Sequence, residues 1–270
     1  MKLALITDIH HAPDGPSIVP HVEAFVAMAT SVGADLILDL GDRIDDIDRA
    51  TDLRLLEELV AAFRRFHGPR LHLLGNHDVV NLTADDHERV LGRRPGHHVY
   101  DLGAVRLLLW EPPVVFHRPR GFDPAGEHLQ WLTDMLAADP RPAIVASHIP
   151  NSGAAMTGNY YFANNPTLAT YPDHDAIRAA VEGSGAVALW LSGHVHWNSF
   201  CVVGNIHHAT LQSPSETFTT SSRPALTWAM LEISDGTATL AISGHDPLTV
   251  NFPFARSDTR TWPTPRPAIA

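Results

Sequence analysis

The sequence predicts an α/β fold, and three observations carry that expectation. Short apolar runs at residues 3–7, 35–40 and 71–74 read as buried strands. Helical spacing of apolar residues separates them, at 21–32 (Val22, Phe25, Val26, Ala29, Val32, with Gly33 as a stop) and at 53–66, before Gly68-Pro69. Strand, helix, strand, helix, strand is the pattern of parallel units joined by right-handed crossovers. Each of the three strands also runs into polar side chains of ligand or acid–base type: Asp8-Ile9-His10, Gly41-Asp42-Arg43-Ile44-Asp45 and Gly75-Asn76-His77-Asp78. In open parallel sheets ligands gather beyond the carboxyl ends of the strands, so three such ends point to a site there.

The remaining elements follow the same rules. Thr83 is placed to cap a short helix over 83–91. Residues 98–101 and 105–110 read as a hairpin around Leu102-Gly103, and Pro112-Pro113 with 118–126 as a loop. A helix over 127–138 turns Leu129, Leu132, Met135 and Leu136 inward. A buried strand at 143–147 ends in His148, and another at 186–191 ends in Ser192-Gly193-His194-Val195-His196-Trp197. Between them, 151–172 is polar and aromatic, the composition of a functional loop rather than a linker, and 172–182 reads as a helix. Runs at 199–203, 206–211, 226–233 and 237–243 suit a second, antiparallel sheet. One domain is expected over 1–250, with a Pro- and Arg-rich tail over 251–270 lying on the surface or at a subunit contact.

Composition narrows the partners. The 270 residues are 44% hydrophobic and 18% charged, an ordinary globular balance. A net charge of −11 and the lack of a Lys/Arg run argue against long nucleic acid or an anionic membrane as partner. An anionic substrate stays open, because bound divalent ions dominate the charge of their site. Cys201 is the one cysteine, so no internal disulfide forms. No apolar run approaches the roughly 20 residues of a membrane span, and the first residues do not read as a signal peptide, so the expected compartment is the cytoplasm.

The strand-end residues Asp8, His10, Asp42, Asn76, His77, His148, His194 and His196 combine carboxylate, imidazole and amide oxygen, a donor set for borderline divalent metals such as Mn, Fe and Zn. They are too many for one tetrahedral ion, and they suit a pair of ions sharing a carboxylate. Taken in order, Asp8-x-His10, Gly41-Asp42-x-x-Asp45, Gly75-Asn76-His77-Asp78, His148 and Gly193-His194-x-His196 resemble the calcineurin-like metallophosphoesterase superfamily, over residues 1–197. Within it the chain resembles the class III cyclic-nucleotide and glycerophosphodiester phosphodiesterases. The stretch 205–211 with Ser213 and Glu216 is also similar to manganese-dependent ADP-ribose/CDP-alcohol diphosphatases.

The resemblance implies two stacked mixed β-sheets flanked by helices, an αββα metallophosphoesterase sandwich, with the C-terminal strands making much of the second sheet. It implies a hydrolase of small phosphodiesters in which Asp8, His10 and His196 hold one divalent ion, Asn76, His148 and His194 hold a second, and Asp42 bridges both. A hydroxide shared by the ions is then the nucleophile, His77 serves the leaving group, Asp78 orients His77, and Asp45 supports the ligands. Arg43 stands where these relatives carry an apolar residue; it could clamp a phosphate or pair with Asp45 or Asp46. Tyr160 and Trp197 could contact substrate, or Trp197 and the aromatics at 160–162 could simply pack. Asn76 and His77 are further substrate-contact candidates. His11 and His207-His208 are expected off the ligand set. A phosphomonoesterase, a diphosphatase and a catalytically silent binding protein remain alternatives, and the relatives' habit of dimerising makes a homo-oligomer possible.

Overall fold

A computed structural model describes residues 1–14 and 16–256. Two six-stranded mixed sheets stack face to face, with helices on both outer faces. The first half of the chain alternates β1 (Lys2–Ile6), α1 (Val19–Ser31), β2 (Leu36–Asp39), α2 (Arg49–Phe63) and β3 (Arg70–His72), and its three strands pair in parallel. Two short helices follow, α3 (Asp78–Asn81) and α4 (Ala84–Leu91). The second half adds β4 (His98–Asp101), β5 (Arg106–Leu109), a small hairpin of β6 (Phe116–His117) and β7 (Gly121–Phe122), α5 (Leu129–Ala138), β8 (Ala143–Ala146), α6 (His174–Glu182) and β9 (Val187–Ser192). Five strands close the fold: β10 (Ser199–Val203), β11 (Ile206–Thr210), β12 (Trp228–Ser234), β13 (Thr237–Ser243) and β14 (Leu248–Pro253).

The layers follow from the two-residue period of a strand. Leu3 and Leu5, with Leu36 and Leu38 of β2, face the other sheet, where they meet Leu107, Leu109, Ile144 and Leu189 in the central core. Ala4, Ile6 and Ile37 face outward onto Val22 and Phe25 of α1 and Leu55, Leu56 and Leu59 of α2. On the opposite outer face, Val145 and Trp190 meet Leu132 and Leu136 of α5 and Ile177 and Val181 of α6. Strands covered on both faces read as continuous apolar runs, which is why they were recognisable.

The C-terminal strands depart from expectation. They do not form a sheet of their own. Strands β10 and β11 extend the second sheet beside β9, in the order β10-β11-β9-β8-β5-β4, whereas β12 pairs antiparallel with β1 and carries β13 and β14 into the first sheet. Burial of Phe252 and Phe254 in the central core explains why β14 runs to Pro253, beyond the expected start of the tail at Asn251. Residues 257–270 of that tail lie outside the described residues. Other boundaries moved by a few residues: α2 starts at Arg49 because the Asp48 carboxylate accepts the amides of Ala50 and Thr51.

Candidate metal centre

Every strand-end motif meets at one edge of the sandwich. The Asp8–His11 and Gly41–Ile44 segments are tied by amide hydrogen bonds from Asp8 to Gly41, His10 to Asp42 and His11 to Arg43. The backbone bends sharply where the ligand candidates sit. Asp8 (φ 49°), His10 (48°), Asp42 (54°), His194 (70°) and His196 (51°) all occupy the left-handed region. A side chain there costs about 1–3 kcal/mol, and such strain gathers at functional sites.

Two ligand clusters result. In one, Asp8, His10 and His196 present donor atoms within 4.8 Å of one another; in the other, Asp42, His148 and His194 do the same. The Asp42 Oδ2 atom lies 3.2 Å from His148 Nε2 and 3.9 Å from His10 Nε2, so one carboxylate reaches both clusters. Each imidazole is fixed from behind. The far nitrogen of His10 faces Asp45 at 2.9 Å, that of His196 faces Glu216 at 3.2 Å, and those of His148 and His194 face the carbonyls of Leu40 and Leu168, both at 2.8 Å. Carboxylates and carbonyls only accept, so these nitrogens donate, and the near nitrogens are the ones a bound cation would use.

The residues fit a pair of cations. Asn76 Oδ1 and His148 Nε2 are buried with no hydrogen-bond partner, and both belong to the expected second ligand set. Burial pushes the Asp42 carboxyl up, yet the imidazoles of His148, His10 and His77 outweigh it and hold it well below the usual range. Burial lowers His196, but Asp8 and Glu216 raise it to about 10; His148 is raised to about 9 against burial, chiefly by Asp42. The site therefore attracts positive charge. Burial and His148 push His194 down to about 3, leaving a neutral donor.

The other sequence candidates fall differently. His77 edges onto the His10 ring at 4.8 Å, on the same open cleft as Asp42, Asn76, His194 and His196. Its partner is not Asp78. The His77 Nδ1 atom meets Asp46 Oδ1 at 2.5 Å, while buried Asp78 accepts the backbone amides of Asp42, Arg43 and Gly75. Neither role considered for Arg43 survives: it is fully buried, away from the cleft, and pairs with Asp39 (2.8 Å) and Asp78 (3.1 Å) rather than Asp45 or Asp46. Trp197 is not among the cleft-lining residues; it packs beside Ala155, Ala169 and Val195. Tyr160 does line the cleft, half exposed and edge-on to Phe218 at 3.9 Å. His11 pairs with Glu58, and His208 stacks on Trp190. Sequence reasoning missed Asp46 as the partner of His77, although its only signal was adjacency to Asp45. It also gave no role to Glu216, Arg118 or Phe116 at the cleft.

A family model described as calcineurin-like phosphoesterase matches residues 1–198. The chain belongs to the calcineurin-like phosphoesterase family. It is a phosphoric ester hydrolase of a family built on a dinuclear metal centre, and the two clusters are its candidate ligands. Among curated relatives, a probable cyclic nucleotide phosphodiesterase of Synechococcus is 26% identical over 73% of each chain. A manganese-dependent ADP-ribose/CDP-alcohol diphosphatase of Arabidopsis thaliana is 22% identical over 67% of this chain and 71% of its own. Among solved structures, a dimetal phosphatase from Danio rerio superposes with a TM-score of 0.76 at 15% identity, covering 94% of this chain and 99% of that one, which shows a shared fold. Among the described residues no helix is long and apolar enough to cross a membrane.

Proposed function

We propose that this family member hydrolyses small phosphodiesters of the cyclic-nucleotide or glycerophosphodiester type. The observation that carries the reading is the cleft above the ligand clusters, about 650 Å³ in volume. Phosphorus at its floor would leave room for an ester substituent on each side, against the aromatic wall of Phe116, Tyr160, Tyr161, Phe162 and Phe218. Asp8, His10 and His196 would hold one divalent ion and Asn76, His148 and His194 the other, with Asp42 shared. Nitrogen and oxygen donors without thiolate suit Mn, Fe or Zn. When bound, the ions supply Lewis-acid stabilisation of phosphoryl charge and an activated water near neutral pH.

The chain's own residues complete the chemistry. His77, on the cleft wall with its Nδ1 against Asp46, is placed to give a proton to a departing alkoxide. Arg118, at the cleft rim over the Phe116 ring at 5.5 Å, is placed to meet an anionic oxygen. A diphosphatase is the second reading, favoured by the similarity to the Arabidopsis protein over 67% of this chain.

The test is hydrolysis of bis(p-nitrophenyl) phosphate, p-nitrophenyl phosphate and ADP-ribose by the Mn²⁺-loaded protein and by Asn76→Ala. Faster turnover of the diester, lost in the variant, supports the reading. Preference for the monoester or for ADP-ribose replaces it with a phosphomonoesterase or a diphosphatase.

A further inference from the structure

The buried group Asp39–Arg43–Asp78 lies behind the ligand clusters and takes no part in the chemistry above. All three side chains have zero exposure. The Arg43 guanidinium donates through Nη1 to Asp39 Oδ2 (2.8 Å) and to the Leu73 carbonyl (2.7 Å), and through Nη2 to Asp78 Oδ2 (3.1 Å). It thereby links the ends of two paired strands to the start of a helix. Asp78 in turn accepts from the amides of Asp42 (2.9 Å), Arg43 (3.1 Å) and Gly75 (2.9 Å). One carboxylate thus stitches the turn carrying Asp42 to the turn carrying Asn76. The consequence reaches the ligand atoms. The His77 amide, one residue beyond Asn76, donates to Asp42 Oδ1 at 2.8 Å, which leaves Asp42 Oδ2 facing His148 at 3.2 Å.

We propose that Arg43 is a positioning residue of the dinuclear centre, fixing Asp78 so that Asp42 and Asn76 are held in ligand geometry by the protein itself. Removing one partner of a buried ion pair leaves the other uncompensated and disturbs what it holds. Arg43 is the cation of this group, and its planar fork reaches partners that a single ammonium cannot reach together. Groups that orient ligands from behind are worth about 10–100-fold in metal affinity. The inference rests on the dinuclear reading above and extends it to a residue that touches neither ion nor substrate.

The test is Mn²⁺ titration of the full chain by calorimetry, with electron paramagnetic resonance of the loaded protein, on wild type, Arg43→Lys and Arg43→Met, and thermal unfolding measured alongside. The expected result is Mn²⁺ affinity weakened at least tenfold in Arg43→Met, loss of the spin-coupled pair signal ahead of single-ion binding, and partial rescue in Arg43→Lys. If Arg43→Met does not fold, Arg43→Lys decides alone, because it keeps the charge but not the fork. A lower melting temperature with wild-type affinity and an unchanged pair signal would overturn the inference, since a merely structural residue behaves that way. Wild type that takes up no Mn²⁺ pair would overturn the dinuclear reading together with it.

Discussion

His77 and its carboxylate show what a single residue contributes. Asp45 and Asp46 are neighbours in sequence, yet they serve different rings: Asp45 faces His10 and Asp46 faces His77. If Asp46 holds His77 in the orientation that protonates a leaving group, its loss should be felt only where a proton is needed. Asp46→Asn is expected to slow hydrolysis of a glycerophosphodiester about 10–100-fold and to leave bis(p-nitrophenyl) phosphate, whose leaving group needs no proton, within about threefold. Equal slowing of both would show that Asp46 acts elsewhere. The candidate ligand residues were legible because each sits at a strand end in a short motif. The groups behind them were not. Glu216 lies 20 residues from His196, Asp46 lies 31 from His77, and the partners of Arg43 flank it at Asp39 and Asp78. Apart from Asp39, four residues before Arg43, no local spacing encodes such pairings, and two adjacent aspartates offer a sequence no basis for choosing between them.

At the scale of elements, the site depends on two turns that nearly touch. A side chain on Gly75 would collide with the Asp42 carboxylate and amide, and one on Gly41, whose φ is 106°, would come 2.6 Å from the Gly75 amide nitrogen and 2.8 Å from His148 Nδ1. Gly75→Ala is therefore expected to cost about 1–3 kcal/mol in denaturant unfolding and to abolish tight Mn²⁺ binding, because relief of the overlap must displace Asp42. Retained Mn²⁺ affinity in a folded Gly75→Ala protein would mean the turns have slack. The cap of α4 makes a contrast. Thr83 and Asp86 form a reciprocal capping box and do not line the cleft, so Thr83→Ala should cost about 1 kcal/mol in stability and leave kcat and KM unchanged. Helices and parallel strands were readable from period and caps. The C-terminal strands were readable as strands but not as members of a given sheet. Strand β12 docks on β1, more than 200 residues away, and apolar alternation says which face is buried, not which neighbour supplies the hydrogen bonds.

The charge state of the histidines belongs to the whole molecule, since the folded chain sets some of them apart from water and pairs others with carboxylates. His208 is informative because it stands outside the ligand clusters. It lies in β11, between β9 and β10, stacked on Trp190 with centroids 6.0 Å apart, and its Nε2 has no hydrogen-bond partner. Burial first, then Arg178 and His207, push its pKa from the ordinary 6.5 down to about 3. The unfolded chain binds a proton there below pH 6.5, while the folded chain refuses one until about pH 3. Protons then favour unfolding, so stability is complete above pH 6.5 and falls as pH drops toward 3. The slope for one such group approaches about 1.4 kcal/mol per pH unit. Phenylalanine keeps the aromatic stack and removes the proton site. Urea unfolding of wild type and His208→Phe between about pH 7 and 4.5, a window above most carboxylate titration, should show the variant losing about 2–3 kcal/mol less than wild type. Parallel losses would mean that His208 takes up its proton within the folded sheet, and that β11 opens to water without global unfolding.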